Sequence, residues 1–172
     1  MKALMITLAT VLALSAGPAQ AAKEWGIDGE EVAQFEAKAV DVLCELTGDC
    51  PPNCGDGKRQ MGLLTDDGKL RLALKSNTSF AGAALDLVPW CGKRVEVDGL
   101  LIKADPMTFY MVQRLRAPGA KKWTNARAFS KAWAKENKQK NASRWFRKDP
   151  TIKALIAEFG PVGIPGAKIP KP

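Results

Sequence analysis

Three of the chain's four cysteines, Cys44, Cys50 and Cys54, fall within eleven residues, and the fourth, Cys91, stands far downstream. An even cysteine set constrains a chain of this size more than any other feature, because the state of the sulfurs decides which loops are tied. That state depends on compartment. Residues 1–21 read as a secretory leader, with Lys2 as a minimal positive start and an apolar core from Ala3 to Ala16. Ala19-Gln20-Ala21 then forms an A-x-A cleavage site. The apolar run is short for a membrane anchor. The expectation is a mature chain that begins near Ala22 and resides in the periplasm or outside the cell.

The leader lacks a twin-arginine pair. General secretory export carries an unfolded chain, so a metal cluster loaded in the cytoplasm would not travel with it. In an oxidising destination four cysteines point to two disulfides, with a Cys₄ metal site and a reactive thiol pair as the alternatives. A thioredoxin-like site needs C-x-x-C at a helix start, whereas Cys50-Pro-Pro-Asn-Cys54 has one residue more and two prolines. An extended Pro-Pro path rises about 3.1 Å per residue, which separates Cys50 from Cys54 by roughly 12 Å, beyond the roughly 7 Å reach of a bridge. One of Cys50 or Cys54 is therefore expected to pair with Cys44, and the other with Cys91.

Asp28 to Thr47 reads as a helix, with Asp28 and Glu31 as a capping box and Gly48 as the stop. Val32, Phe35, Ala39, Val42, Leu43 and Leu46 recur at helical spacing, which leaves Cys44 off the main stripe and free to meet a partner. Strands are expected over Arg59–Thr65 and Leu70–Lys75, joined by the Asp66-Asp67-Gly68 hairpin. The same two carboxylates raise acid–base chemistry, but no catalytic partner stands beside them and the turn reading prevails. A short helix from Phe80 to Val88, capped by Thr78 or Ser79, precedes strands over Arg94–Ile102 and Phe109–Leu115. Gly99 interrupts the first of these as a bulge or bend. Val95 and Val97 share one face of that strand, Glu96 and Asp98 the other.

This order, with Gly62-Leu63-Leu64-Thr65-Asp66-Asp67-Gly68-Lys69, Gly92-Lys93-Arg94-Val95-Glu96-Val97-Asp98-Gly99 and Tyr110-Met111-Val112-Gln113, resembles small exported bacterial OB-fold modules. The resemblance covers Cys54 to Arg116 and implies a fold rather than a reaction. Its barrel wants five strands where four are legible; the fifth either lies within a bent Arg59–Thr65 or is absent. The expected class is α+β: a small OB-like barrel or curled antiparallel sheet, an N-terminal helix and a basic helical C-terminal extension.

Charge divides the chain at Ala117-Pro118-Gly119. Residues 22–116 hold 12 Lys/Arg against 15 Asp/Glu, a net of −3, whereas residues 117–172 hold 13 against 3, a net of +10. The first part is the stapled barrel domain. In the extension, 117–160, a helix is expected from Thr124 or Asn125 through Lys138, then a short segment at Trp145-Phe146. A last helix, capped by Asp149 with Pro150 at its first position, carries Ile152, Leu155, Ile156 and Phe159 as its stripe. Residues 161–172 are a Pro/Gly-rich tail.

The chain has no histidine, which removes the usual triad base and Cys/His zinc sites, and it has neither a P-loop nor a dinucleotide fingerprint. Asn77-Thr78-Ser79 and Asn141-Ala142-Ser143 match a glycosylation pattern short enough to arise by chance. No cofactor or metal and no catalytic set is expected. Lys/Arg interleaved with Trp123, Trp133, Trp145 and Phe146 raises nucleic-acid binding, but export argues against that partner and the aromatics fall at core-like spacing. The expected role is a non-enzymatic exported accessory module acting through its basic surface or barrel face, on an acidic protein or an anionic envelope surface. The contact residues singled out are Lys121, Lys122, Lys131, Lys135, Arg144, Trp145, Arg147 and Lys148. The alternative is thiol or metal handling by Cys44, Cys50, Cys54 and Cys91.

Overall fold

The computed structural model describes residues 22–75 and 81–161. The leader, the Thr78/Ser79 cap with Phe80, the first sequon and residues 162–172 of the tail lie outside these described residues. Alternation builds the first element. Along β1 (Glu30–Asp41), Ala33, Phe35, Ala37 and Ala39 turn inward while Gln34, Glu36 and Lys38 face solvent. That period of two is a strand signature. The expected N-terminal helix is thus corrected to a strand followed by one short helix, α1 (Val42–Thr47). Val32, Leu43 and Leu46, which belong to the helical spacing, are all exposed. Asp28 and Glu31 cap nothing; Asp41 caps α1 by accepting from Leu43 N at 2.9 Å. Gly48 does end the helix in the left-handed conformation.

Strand β1 is also the missing fifth barrel strand. Its C-terminal end pairs with β2 (Met61–Leu64), and most of its length pairs with β4 (Arg94–Ala104). β2 forms the expected hairpin with β3 (Leu70–Leu74) through Asp66-Asp67-Gly68, closed by Gly68 N donating to Thr65 O at 2.9 Å. β4 pairs with β5 (Met107–Arg116), and β3 meets β5 in parallel, so five strands close a mixed OB-like barrel. The outlying β6 (Thr124–Asn125) adds to β5. Thr124 and Asn125 are therefore strand rather than helix cap.

Inside the barrel Met61, Leu63, Ala73, Val95, Val97, Tyr110, Val112 and Leu115 pack together. Ala83, Ala84 and Leu87 of α2 (Ala81–Leu87) join the same core from the connection between β3 and β4. Tyr110 is held by an edge-on contact with Phe35 and donates its hydroxyl to Ala33 O at 2.7 Å. The expected irregularity at Gly99 is present as a register shift between Asp98 and Gly99 that leaves Gln113 of β5 unpaired in the ladder. Only glycine fits there, because a Cβ would lie 2.1 Å from Met111 O.

The sulfurs are joined as Cys44–Cys50 and Cys54–Cys91, one of the two expected pairing schemes. The path between Cys50 and Cys54 differs from expectation, since Asn53, Cys54, Gly55 and Asp56 curl through successive left-handed conformations instead of running extended. Left-handed backbone is unfavourable for a residue such as cysteine. Cys54 holds it while buried and tied to Cys91, beside the end of α2. The Cys44–Cys50 loop lies at the surface. Below it Arg59 bridges Asp41 at 3.2 Å and Asp49 at 2.5 Å.

The extension continues as α3 (Ala128–Glu136), α4 (Trp145–Lys148) and α5 (Pro150–Phe159). Asp149 caps α5 as expected, accepting from Thr151 N at 2.9 Å and Ile152 N at 3.2 Å. It also accepts from Trp133 Nε1 at 2.8 Å, so the capping carboxylate fastens α5 to α3. No described helix is long and apolar enough to cross a membrane.

Candidate functional site

The joint between barrel and extension is built on one lysine. Lys75, at the end of β3, donates to Val112 O at 2.6 Å and Ala126 O at 2.7 Å and pairs with Asp86 at 3.0 Å. Asp86 in turn accepts from Ala128 N in the first turn of α3, at 2.8 Å. β5, the residue after β6, α2 and, through Asp86, α3 are thereby tied to one half-buried lysine. Burial pushes the Lys75 amine below its ordinary value; the facing Asp86 opposes this, and the neighbouring Arg127 cation adds to it.

The outer face of the β1–β4–β5 sheet carries ion pairs rather than open charge. Glu96 receives two bonds from Arg116, each 2.7 Å, and a third at 2.7 Å from the Gln34 side-chain amide. The Arg116 guanidinium holds its carboxyl below the usual glutamate range, against the effect of burial. Asp98 is paired with Arg114. Trp123 roofs both arginines, its ring 4.1 Å from Arg116 and 5.3 Å from Arg114. Glu96 and Asp98 thus lie on the face opposite Val95 and Val97, as expected, but are buried by their partners.

Beside this ladder, a groove of about 870 Å³ opens between β5–β6 and the extension. Five cations from different parts of the chain line it: Lys23, Lys75, Arg114, Arg127 and Arg144. No carboxylate does so among the described residues. Lys75 and Arg114 are neutralised by Asp86 and Asp98, whereas Lys23, Arg127 and Arg144 form no ion pair among the described residues. Gln113, Asn125 and Asn141 contribute amides, and the exposed rings of Trp25 and Phe146 lie in the same lining. Chemically, the lining sets positive charge and amide donors beside apolar surface.

Of the residues singled out in the sequence, Arg144 alone lines the groove. Lys121 and Lys122 are exposed before β6, Lys131 and Lys135 project from α3, and Arg147 and Lys148 are exposed on α4. Trp145 packs within the extension against Phe129, Trp133 and Phe146, at ring distances of 5.2, 6.3 and 6.3 Å. Sequence reasoning missed Lys23, Lys75, Arg114, Arg127 and Trp25. Their local contexts carry no shared signal, because only barrel closure brings them together. The four cysteines lie elsewhere, in their two bonds. No family model, characterised protein or solved structure is significantly similar to the chain.

Proposed function

We propose that this is an exported, non-catalytic binding module whose cationic groove takes a carboxylate-rich segment of an acidic protein. The single observation that carries the reading is the convergence of five cations from separate segments on one groove without a lining carboxylate. Such a site raises the local concentration of an anionic partner and fixes its orientation. The leader-like first 21 residues and the two disulfides support an oxidising compartment. The rival class, thiol or metal handling, must work with sulfurs already paired, though the Cys44–Cys50 pair is accessible; thiol titration with metal analysis separates the two.

A Glu-rich peptide is the direct probe, with vesicles of anionic lipid as the second arm. Binding should weaken steeply between low and physiological salt. Arg127→Glu with Lys23→Glu should weaken the peptide at least tenfold, while Lys131→Glu with Lys135→Glu on α3 changes it much less. Salt-independent binding, or equal loss from both pairs, would refute the groove. Capture by vesicles alone would move the partner to the envelope surface.

A further inference from the structure

The first described residue sits in a prepared place. Ala22 is 9 % exposed, and its backbone nitrogen donates to Asp98 Oδ1 at 3.2 Å. Asp98 is 1 % exposed, and Arg114 occupies only its other oxygen, Oδ2, so Ala22 N is the sole partner of Oδ1 among the described residues. The next residue is clamped. Lys23 N donates to Gln113 Oε1 at 2.9 Å, and Gln113 Nε2 donates back to Lys23 O at 2.6 Å. Gln113 is the residue that the register shift at Gly99 leaves unpaired in the ladder. One bulge in the barrel thus supplies the side chain that holds the backbone just behind Ala22. The A-x-A cleavage signal ends at Ala21, one residue earlier.

We infer that hydrolysis of the Ala21–Ala22 bond makes Ala22 the N-terminus, and that its new ammonium docks on Asp98 to complete the ion-pair ladder of the barrel. In that hydrolysis, carried out by a leader-cleaving protease, the C–N bond breaks and water supplies the oxygen of the Ala21 carboxylate. The Ala22 nitrogen takes up protons and becomes a cation. An amide N–H already donates to the Asp98 carboxylate before cleavage; afterwards both partners of the same contact carry charge, and the bond becomes an ion pair in a buried setting. Because Lys23 and Trp25 line the groove, a docked Ala22 also fixes that rim. Maturation and the binding surface are coupled through one carboxylate.

The inference rests on the export reading, and its test separates the two. The full chain, with its leader, is recovered from the envelope and weighed intact; a mature mass beginning at Ala22 is expected. A chain exported uncleaved, or cut elsewhere, overturns the inference, and a chain that never leaves the cytoplasm overturns export as well. Two mature proteins are then compared by denaturant unfolding, one beginning at Ala22 and one retaining Ala21. Every side chain of the folded domain is native in both, so misfolding does not confuse the result. The Ala22 form should have a folding equilibrium constant larger by on the order of tenfold. Asp98→Asn should abolish that difference. Equal stability of the two native chains, or a difference that persists in Asp98→Asn, contradicts the docking.

Discussion

The barrel and the C-terminal extension handle the same materials in opposite ways. In the barrel, apolar residues close a core and charges are matched over its wall: Glu96 with Arg116, Asp98 with Arg114, Lys75 with Asp86. The extension, residues 117–160, has 11 cations and three carboxylates, and one of those, Asp149, is committed to capping α5 and holding Trp133. Its last helix leaves Leu155, Ile156 and Phe159 exposed, at 50, 39 and 74 %. One half is completed by its own contacts. The other, together with the groove between them, presents charge and apolar surface outward. The difference assigns stability to the barrel and, on our reading, recognition to the joint and the extension.

That division can be broken in order of expected effect. Replacing Cys54 and Cys91 by alanine removes the link that closes 37 residues of chain and should cost about 4 kcal/mol, against about 2 kcal/mol for Cys44 and Cys50, whose separation is six. Denaturant midpoints of the two double variants measure this; equal losses would show that the left-handed Cys54 turn is not part of the barrel's framework. Leu63→Ala, in the closed core, should cost about 3 kcal/mol. Phe159→Ser, on the open helix, should change stability by less than about 0.5 kcal/mol. A large loss from Phe159→Ser would mean that α5 packs on the body in solution.

Acid should act on the barrel wall. The Glu96 carboxyl is held below its ordinary value by Arg116, so the folded state binds that proton less readily than the unfolded chain. Its contribution is fully present above the ordinary glutamate value of about 4.3 and fades as the pH falls toward the folded value. The gap in melting temperature between the native protein and Glu96→Gln should narrow from pH 6 to pH 3; a constant gap would remove Arg116 as the cause. Smaller still, Trp133→Phe deletes the donor to Asp149 and should cost about 1 kcal/mol, with faster hydrogen exchange confined to α5. Faster exchange spreading into β1–β5 would join what the comparison separates.

Much of the barrel was legible because strand signals are local: Asp66-Asp67-Gly68 for the hairpin, Val95/Val97 alternation, Gly99 for the bulge. The cysteine pairing matches one of the two expected schemes, although the extended Pro-Pro path argued for it is absent, because Asn53 to Asp56 curl through left-handed conformations. The N-terminal helix failed because its sequence carries two periods at once. Helical spacing through Val32, Leu43 and Leu46 competed with the alternation of Ala33, Phe35, Ala37 and Ala39, and pairing with both β2 and β4 decides for the second. The groove was hidden for a different reason. The basic run in the extension points to Lys131 and Lys135, whereas Lys23, Lys75 and Arg114 come from residues 22–116, whose net charge is −3, and meet only after closure.

The groove is the centre of the account, and nuclear magnetic resonance with the Glu-rich peptide tests it most directly. The indole N–H signals of Trp25 and Trp90 should respond differently, since Trp25 lines the groove and Trp90 packs against the barrel core. On titration, saturable, salt-sensitive shifts are expected at Trp25 and the Gln113 side-chain amide, with Trp90 unmoved. Shifts confined to the Lys131–Lys135 face of α3, or to β2 and β3, would contradict it.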